Sequence, residues 1–191
     1  MRKLIAGMQI SLDGKVGGPD GYADWVEAWS DNYDVMPQVD ACLLGAGMYP
    51  GYEQYWSAIQ AGPDQPLAMT GKLPTPAEVE YGRFTARTPH YVLSSTLNTA
   101  LWPQTRFIPS LDEVRTLKEQ SGKDIYLVGG ARTVTSLLDA GLVDELRLAI
   151  HPLIVGPGKA LFEFTERRRG LELRDVRKLD AGRVSLSYAI R

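Results

Sequence analysis

Several residue types that carry common protein chemistry are scarce in this sequence of 191 residues. It contains one cysteine, Cys42, and two histidines, His90 and His151. A single cysteine excludes an internal disulfide, and these three residues are too few for a Cys/His zinc site. The motifs G-x-S-x-G, H-E-x-x-H and C-x-x-C are also absent, so the hydrolase and metalloprotease mechanisms that depend on them have no support.

The sequence also lacks an excess of charge of either sign, and it lacks long apolar runs. The 21 basic and 23 acidic residues give a formal net charge of -2, so no overall positive field attracts nucleic acid. The three arginines at 167–169 have no interleaved aromatic residues and are interpreted as a solvated turn. No apolar run approaches the roughly 20 residues of a membrane span, and the N-terminus lacks a signal-peptide core. We therefore expect one cytoplasmic domain over residues 1–191 that binds neither nucleic acid nor membrane.

Short apolar segments that alternate with amphipathic helices make up most of the sequence. The predicted strands are residues 3–10, 39–44, 90–94, 105–108, 124–128, 145–155, 171–178 and 183–190. Helices are predicted at 111–120 and 131–140, and another where Trp25, Ala28, Trp29 and Tyr33 recur behind Asp24 as its cap. Residues 49–60 are predicted to form a short aromatic helix or an ordered loop. The proline-rich segment 61–88 is predicted to be a long loop with at most a helical turn at 77–82. About eight strands and four helices indicate an α/β domain with a mixed, mostly parallel sheet and an antiparallel C-terminal edge.

Two glycine-containing turns follow predicted strands, where backbone can approach a ligand closely. Gly129 and Gly130 end one strand just before a helix, whose N-terminal N–H groups suit a pyrophosphate. Taken alone, the same two glycines are more often a tight strand-to-helix turn that binds nothing. Gly45 and Gly47 follow another strand, but Pro50 stands where the dinucleotide-binding fingerprint has its third glycine, so that motif fails.

Two aspartates near the N-terminus are candidates for acid–base chemistry. Asp13 is interpreted as a general acid or a polar substrate anchor, although Asp-Gly is also a common turn dipeptide. Asp24 either caps a helix or binds a heterocycle whose face rests on Trp25. His151 lies in an apolar strand and is interpreted as a core or interface residue.

Five segments of the sequence occur in an order that is similar to one enzyme family. They are ISLDG at 10–14, DACLLG at 40–45, YVLSSTL at 91–97, YLVGGA at 126–131, and the segment 142–158 that ends in PLIVGPG. Together they resemble the RibD C-terminal family, the reductase domains of bacterial riboflavin biosynthesis, which share the dihydrofolate reductase fold. The resemblance implies hydride transfer from NADPH, or from NADH, to a C=N or C=O carbon of a pterin- or pyrimidine-like substrate. It also implies a homodimer.

The resemblance assigns roles to individual residues and implies no metal. The cofactor-binding residues would be Gly45, Ala46, Gly47, Ser94, Ser95, Gly129, Gly130, Ala131, Arg132 and Thr133. Catalytic roles are expected for Asp13 and Asp24, and substrate-binding roles for Ser11 and Trp25.

One turn departs from the family pattern. After Gly45 the family usually has a G-R-x-T-like turn whose guanidinium helps to bind cofactor phosphate, whereas this sequence has Ala46-Gly47-Met48. Arg132 or Arg106 would have to replace that guanidinium. A deaminase half is excluded, because its zinc centre needs more than one cysteine. The altered turn leaves an alternative open, a non-catalytic nucleotide- or ligand-binding module that retains the reductase fold.

Overall fold

A computed structural model of the chain describes residues 1–26, 28–68 and 70–191, so Glu27 and Met69 lie outside the described part. The strands in chain order are β1 (Leu4–Ser11), β2 (Lys15–Gly17), β3 (Val39–Gly45), β4 (His90–Leu93), β5 (Thr105–Ile108), β6 (Asp124–Gly129), β7 (Glu145–His151), β8 (Lys159–Ala160), β9 (Leu171–Lys178) and β10 (Val184–Ile190). The helices are α1 (Tyr49–Ala61), α2 (Pro76–Arg87), α3 (Leu111–Glu119) and α4 (Ala131–Asp139). Among the described helices, none has the length and apolar character needed to cross a membrane.

Eight of the strands form one sheet in the order β5-β4-β3-β6-β1-β7-β10-β9. Neighbouring strands from β5 to β7 are parallel, and β10 and β9 extend the sheet in antiparallel pairing. The predicted α/β class with an antiparallel C-terminal edge is therefore confirmed. The sequence did not predict β2 and β8, which form a separate two-stranded ribbon and are too short to give a periodic signal.

Successive buried residues of the central strands belong alternately to two hydrophobic cores. Leu4 and Ala6 of β1 belong to the core that α3 and α4 cover, whereas Ile5 belongs to the core that α1 and α2 cover. In β6, Ile125 faces the first core and Tyr126 the second. Successive residues of a strand point to opposite faces, so the sheet is buried on both sides in three layers.

The helix predicted around residues 24–33 is wrong. On either side of Glu27, residues 22–26 and 28–36 form turns and bends. The carboxylate of Asp31 accepts hydrogen bonds of 2.9 Å from the backbone N–H groups of Tyr33 and Met36. This side chain therefore offers the backbone an alternative to helical hydrogen bonding. Asp24 lies in a turn and does not cap a helix.

The loop predicted over residues 61–88 is also partly wrong, because α2 is a complete helix of 12 residues. Thr75 and Glu78 begin it with a capping box: the Thr75 hydroxyl accepts from the Glu78 N–H, and the Glu78 carboxylate accepts from the Thr75 N–H. Pro76 fits the first turn, where its missing N–H would have no intrahelical partner. The Thr-Pro-Ala-Glu sequence was the signal for this helix, but the density of prolines suggested a loop.

Candidate functional site

A cavity of about 590 Å³ lies at the carboxyl ends of the central parallel strands. Its lining includes Gly7 and Gln9 of β1, Gly45 from the end of β3 and Val128 near the end of β6. Open α/β sheets bind ligands at this edge, because the strands end there and the loops and helix N-termini begin. The cavity is therefore the candidate site.

One end of the cavity is formed by the start of α4. Gly130, Ala131, Arg132 and Thr133 all line the cavity, and the first three residues of the helix are Ala131, Arg132 and Thr133. The N–H groups of a first helical turn have no intrahelical acceptor, and the helix dipole adds partial positive charge at that end. This end of the cavity therefore suits an anionic group such as a pyrophosphate.

The glycines predicted to bind cofactor fall into two pairs, one tightly packed and one open to the cavity. A β-carbon at Gly45 would overlap the hydroxyl oxygen of Thr133, and one at Gly129 would lie 2.7 Å from the Met8 sulfur. By contrast, a β-carbon at Gly47 or Gly130 would meet no atom within 4 Å, and both residues line the cavity. The chain thus packs closely behind the cavity and exposes bare backbone to it, as a nicotinamide dinucleotide requires.

Met48 lies at the position where the turn departs from the family pattern. Its sulfur accepts a hydrogen bond of 3.2 Å from the Gly130 N–H. Of the two arginines considered as replacements, Arg132 lines the cavity, whereas Arg106 lies on the outermost parallel strand, outside the cavity lining. The Arg132 guanidinium carbon is 4.6 Å from the centroid of the Phe164 ring, which holds the cation beside the start of α4. Of these two arginines, Arg132 is therefore the one that lies at the start of α4 in the cavity.

The other end of the cavity is an aromatic surface that the sequence did not predict. We call it the aromatic wall, and it consists of Tyr33, Tyr52, Tyr55, Trp56, Tyr81 and Tyr126. Each of these residues is at most 8% exposed, and their rings meet at tilted or edge-on angles, as between Trp56 and Tyr81 at 4.6 Å. Burial raises the pKa of the wall tyrosines well above the ordinary value for tyrosine, so their hydroxyls stay protonated. The wall therefore consists of packed aromatic rings whose phenol groups are neutral.

Gly7 allows this wall to close onto the sheet. A β-carbon at Gly7 would lie 2.8 Å from Cε2 of Tyr126 and 2.9 Å from Cδ2 of Tyr33. Any larger residue would force these rings apart, so Gly7 is a site residue whose signal in the sequence was only a glycine inside a strand.

Two aromatic residues form the rim of the cavity in the segment where the substrate site was predicted. Trp29 and Tyr22 line the cavity and are 37% and 69% exposed. Trp25, the predicted substrate-binding residue, is half-buried outside the cavity lining, and its buried Nε1–H has no acceptor among the described residues. The backbone N–H of Trp29 donates to the buried Glu78 carboxylate at 3.0 Å, and this hydrogen bond fixes the rim to α2.

Ser11 and Asp13 are hydrogen-bonded to each other and to a neighbouring loop. The Ser11 hydroxyl donates to Asp13 at 2.6 Å, and the N–H groups of Val155 and Gly156 donate to the same carboxylate at 3.0 and 2.8 Å. The Ser11 hydroxyl and these amides lower the pKa of Asp13 to about 2. Asp13 is consequently ionised at neutral pH and connects the loop after β1 to the loop after β7; its predicted catalytic role stays a prediction.

Other predicted residues lie outside the cavity lining. Ser94 stabilises a turn, since its side-chain oxygen accepts from the N–H groups of Thr96 and Leu97 at 3.1 and 2.7 Å. Ser95 and Asp24 are exposed, and Ala46 is half-buried. Their predicted roles in cofactor binding and catalysis stay predictions.

Comparisons with known proteins point to one family. The model of the RibD C-terminal domain family matches residues 2–185. The uncharacterized protein YyaP of Bacillus subtilis (strain 168) is 34% identical over an alignment 191 residues long. The alignment covers 98% of this chain and 94% of YyaP.

Solved structures share the fold at low sequence identity. The diaminohydroxyphosphoribosylaminopyrimidine deaminase/5-amino-6-(5-phosphoribosylamino)uracil reductase of Thermotoga maritima superimposes with a TM-score of 0.66 and 16% identity, over all of this chain and 57% of the other. A pyrimidine reductase-like protein of Corynebacterium diphtheriae gives a TM-score of 0.55 and 15% identity, over all of this chain and 92% of the other.

Proposed function

The chain belongs to the RibD C-terminal domain family, and we propose that it is a reductase that transfers a hydride from NADPH to a pterin- or pyrimidine-like small molecule. The observation that carries this proposal is a single cavity with two chemically different ends. One end offers helix amides and Arg132, and the other offers the aromatic wall. A dinucleotide and a planar ring need these two environments next to each other.

NADPH would supply the hydride when bound, and a C=N or C=O carbon of the substrate would receive it. The amides of Ala131, Arg132 and Thr133 would bind the pyrophosphate, and the open backbone at Gly47 and Gly130 would allow close approach. The wall would hold the substrate ring in register with the nicotinamide and exclude water from the reacting atoms. NADH is the alternative cofactor, because the family's phosphate-binding arginine is replaced in the Ala46-Gly47-Met48 turn.

One contact within the protein competes with cofactor phosphate at the start of α4. The Gly130 N–H, which a cofactor phosphate would use, already donates to the Met48 sulfur. A thioether is a weak acceptor that a phosphate oxygen would displace, so this contact alone does not prevent cofactor binding.

The test is an absorbance assay at 340 nm combined with equilibrium binding. The purified chain is mixed with NADPH or NADH and offered dihydrofolate or the aminopyrimidines of riboflavin synthesis. Substrate-dependent loss of absorbance at 340 nm is the expected result. Saturable cofactor binding without oxidation across the substrates would favour the binding module, and no saturable binding of either nucleotide would overturn the cofactor assignment.

We further propose that the chain forms a homodimer through its antiparallel sheet edge. The edge strand β9 leaves Leu171, Leu173 and Val176 43%, 52% and 54% exposed. An unpaired edge strand with exposed apolar side chains is a surface that a second copy of the chain would cover.

A further inference from the structure

We infer that Gln9 is a substrate-binding residue that donates a hydrogen bond from its side-chain amide to a carbonyl oxygen of the substrate ring, and that His151 positions this amide. The inference rests on the proposed reductase function and specifies which group of the ring the cavity recognises. It stands on the place of Gln9 in the cavity and on the one hydrogen bond that its side chain makes among the described residues.

Gln9 lies on the face of β1 that a bound ring would contact. It alternates with Gly7 along the strand, so both residues are on the same face of the sheet. On that face a β-carbon at Gly7 would meet the rings of Tyr126 and Tyr33 in the aromatic wall. Gln9 itself lines the cavity and is 7% exposed. It is therefore a polar side chain beside the wall, at a place from which a bound ring would exclude water.

The side chain of Gln9 is held from the neighbouring strand β7. Its Oε1 lies 2.9 Å from Nε2 of His151, which is 6% exposed. In the parallel register of β1 with β7, Gln9 pairs with Ala149, two residues before His151. Ala149 belongs to the core that α1 and α2 cover. The side chains of Gln9 and His151 therefore share the face of the sheet that carries the aromatic wall.

The direction of this hydrogen bond follows from the chemistry of the two groups. An amide oxygen only accepts, so the hydrogen atom belongs to Nε2 of His151. Burial, with a smaller effect of Arg183, lowers the pKa of His151, so the ring is neutral at neutral pH and carries its single N–H at this position. The Arg183 guanidinium forms an ion pair with Asp180 and donates to the side-chain oxygen of Asn32 at 3.2 Å. His151 is thus the group that fixes the Gln9 amide.

The amide nitrogen of Gln9 is left to donate into the cavity. Among the described residues, none accepts a hydrogen bond from this nitrogen. A buried donor without an acceptor costs free energy, so a ring that displaces water from Gln9 must supply the acceptor. A carbonyl oxygen of a pterin- or pyrimidine-like ring meets this requirement with its two lone pairs. His151 opposes rotation of the amide, because rotation would bring two N–H donors together.

The test compares two flat rings that differ at the group that Gln9 would contact. Pterin carries a carbonyl oxygen at C4, and 2,4-diaminopteridine carries an amino group there. Isothermal titration of the full chain at neutral pH should show binding of pterin that is about tenfold tighter. Equal binding, tighter binding of the diamino ring, or failure of both rings to bind would overturn the inference.

Gln9→Glu should reverse this preference. One carboxylate oxygen still accepts from His151, and the other accepts from the amino group and repels the carbonyl oxygen. Gln9→Met keeps the length of the side chain without its amide, and it should bind the two rings equally to within about twofold. Gln120→Glu makes the same change as Gln9→Glu at an exposed residue outside the cavity lining, and should keep the original preference. Survival of that preference in Gln9→Glu would contradict the role of Gln9.

The ratio of the two affinities separates positioning by His151 from a purely structural role. His151→Leu removes the donor, so the Gln9 amide is free to rotate and the preference for pterin should fall below about threefold. His151→Gln places an amide N–H near the position of Nε2 and should restore most of the preference. An equal loss of affinity for both rings in His151→Leu, with the ratio unchanged, would contradict the positioning role.

Binding and oxidation of NADPH are measured separately on the same proteins. A chain that prefers pterin as expected but neither binds nor oxidises NADPH would contradict the reductase proposal and leave the ring contact of Gln9 standing. Oxidation of NADPH with a substrate, together with an unchanged ring preference in Gln9→Glu, would contradict the role of Gln9 and leave the reductase proposal standing.

Discussion

The carboxylate of Glu78 accepts a hydrogen bond of 2.6 Å from the hydroxyl of Tyr55, which lines the cavity. The same buried carboxylate accepts the Trp29 N–H at the rim and closes the capping box of Thr75. One side chain, 2% exposed, therefore joins α1, α2 and the rim of the cavity.

Replacement of Glu78 by alanine should lower the free energy of unfolding by about 3 kcal/mol, since four donors lose their acceptor and a helix loses its capping box. Urea unfolding followed by circular dichroism measures this value. Glu80→Ala, at an exposed position of the same helix, is the matched control and should change stability by less than about 0.5 kcal/mol. Equal effects of the two variants would contradict the role given to Glu78.

Gly45→Ala should destabilise the chain by about 1–3 kcal/mol, because the added methyl group overlaps the Thr133 hydroxyl between β3 and α4. The double variant Gly45→Ala, Thr133→Ala removes the overlapping oxygen and should recover most of that loss. Gly47→Ala adds a methyl group in open space and serves as the control in the same thermal unfolding series. A double variant no more stable than Gly45→Ala would show that the overlap is not the cause.

Arg132→Ala should weaken NADPH binding about tenfold, since it removes the cation beside the start of α4. Fluorescence titration with NADPH and NADH measures the effect. A larger loss for NADPH than for NADH would place the guanidinium on the 2′-phosphate, and similar losses would place it on the pyrophosphate. Arg167→Ala, at an exposed residue between β8 and β9, is the control. Unchanged affinity for both nucleotides in Arg132→Ala would contradict the assignment.

His90 should make the folded chain less stable in mild acid. Burial lowers the pKa of His90 from 6.5 to about 4, so the unfolded chain binds a proton that the folded chain does not in this range. The free energy of unfolding is therefore unaffected by His90 above pH 6.5. As the pH falls from 6.5 toward 4, protonation of His90 in the unfolded chain lowers the free energy of unfolding by up to about 3 kcal/mol. The His90→Phe variant keeps a ring against Trp102, at a centroid distance of 4.8 Å in the native chain, and should lose this part of the pH dependence.

His151 provides the comparison for that experiment. Burial, with a smaller effect of Arg183, also lowers the pKa of His151, and its Nε2 lies 2.9 Å from Oε1 of Gln9. The variant His151→Gln should therefore retain the part of the pH dependence that His90→Phe removes. Urea unfolding at pH 7 and pH 4 gives both differences, and an unchanged pH dependence in His90→Phe would contradict the prediction.

Leu173→Glu should prevent dimer formation by placing a charge on the exposed face of β9. Sedimentation equilibrium at micromolar concentration should give twice 21.1 kDa for the unmodified chain and 21.1 kDa for the variant. Leu101→Glu, at another exposed leucine, should leave the dimer intact. A monomer mass for the unmodified chain would exclude the dimer.

The sheet and the end of the cavity at the start of α4 could be predicted from the sequence because their signals are local. The apolar run before Gly129 and Gly130 and the apolar stripe of α4 lie within a few residues of one another. The strand and the helix predicted from them agree with β6 and α4 to within one residue at each end. Ser110 before α3 is a local signal of the same kind, and its side chain accepts from the Glu113 N–H.

The aromatic wall could not be predicted because its members come together only in the folded chain. Tyr33, Tyr81 and Tyr126 come from a loop, a helix and a strand that are far apart in sequence. Near the rim, the spacing of Trp25, Trp29 and Tyr33 suggested a helix, although the segment packs through turns held by Asp31. Here the hydrogen bonds from the backbone to the Asp31 side chain stabilise turns, although the spacing of the aromatic residues is that of a helix.

The position of β1 constrains the order in which the chain can fold during its synthesis. Among the described residues this strand pairs with β6 and β7, where Leu4 lies opposite Ile125 and Ile5 lies opposite Glu145. At roughly 5–20 residues per second, translation takes on the order of ten seconds to pass from β1 to β6. During that time the apolar first strand has neither of the strands with which it pairs, so its place in the sheet is set only after the second half of the chain has emerged.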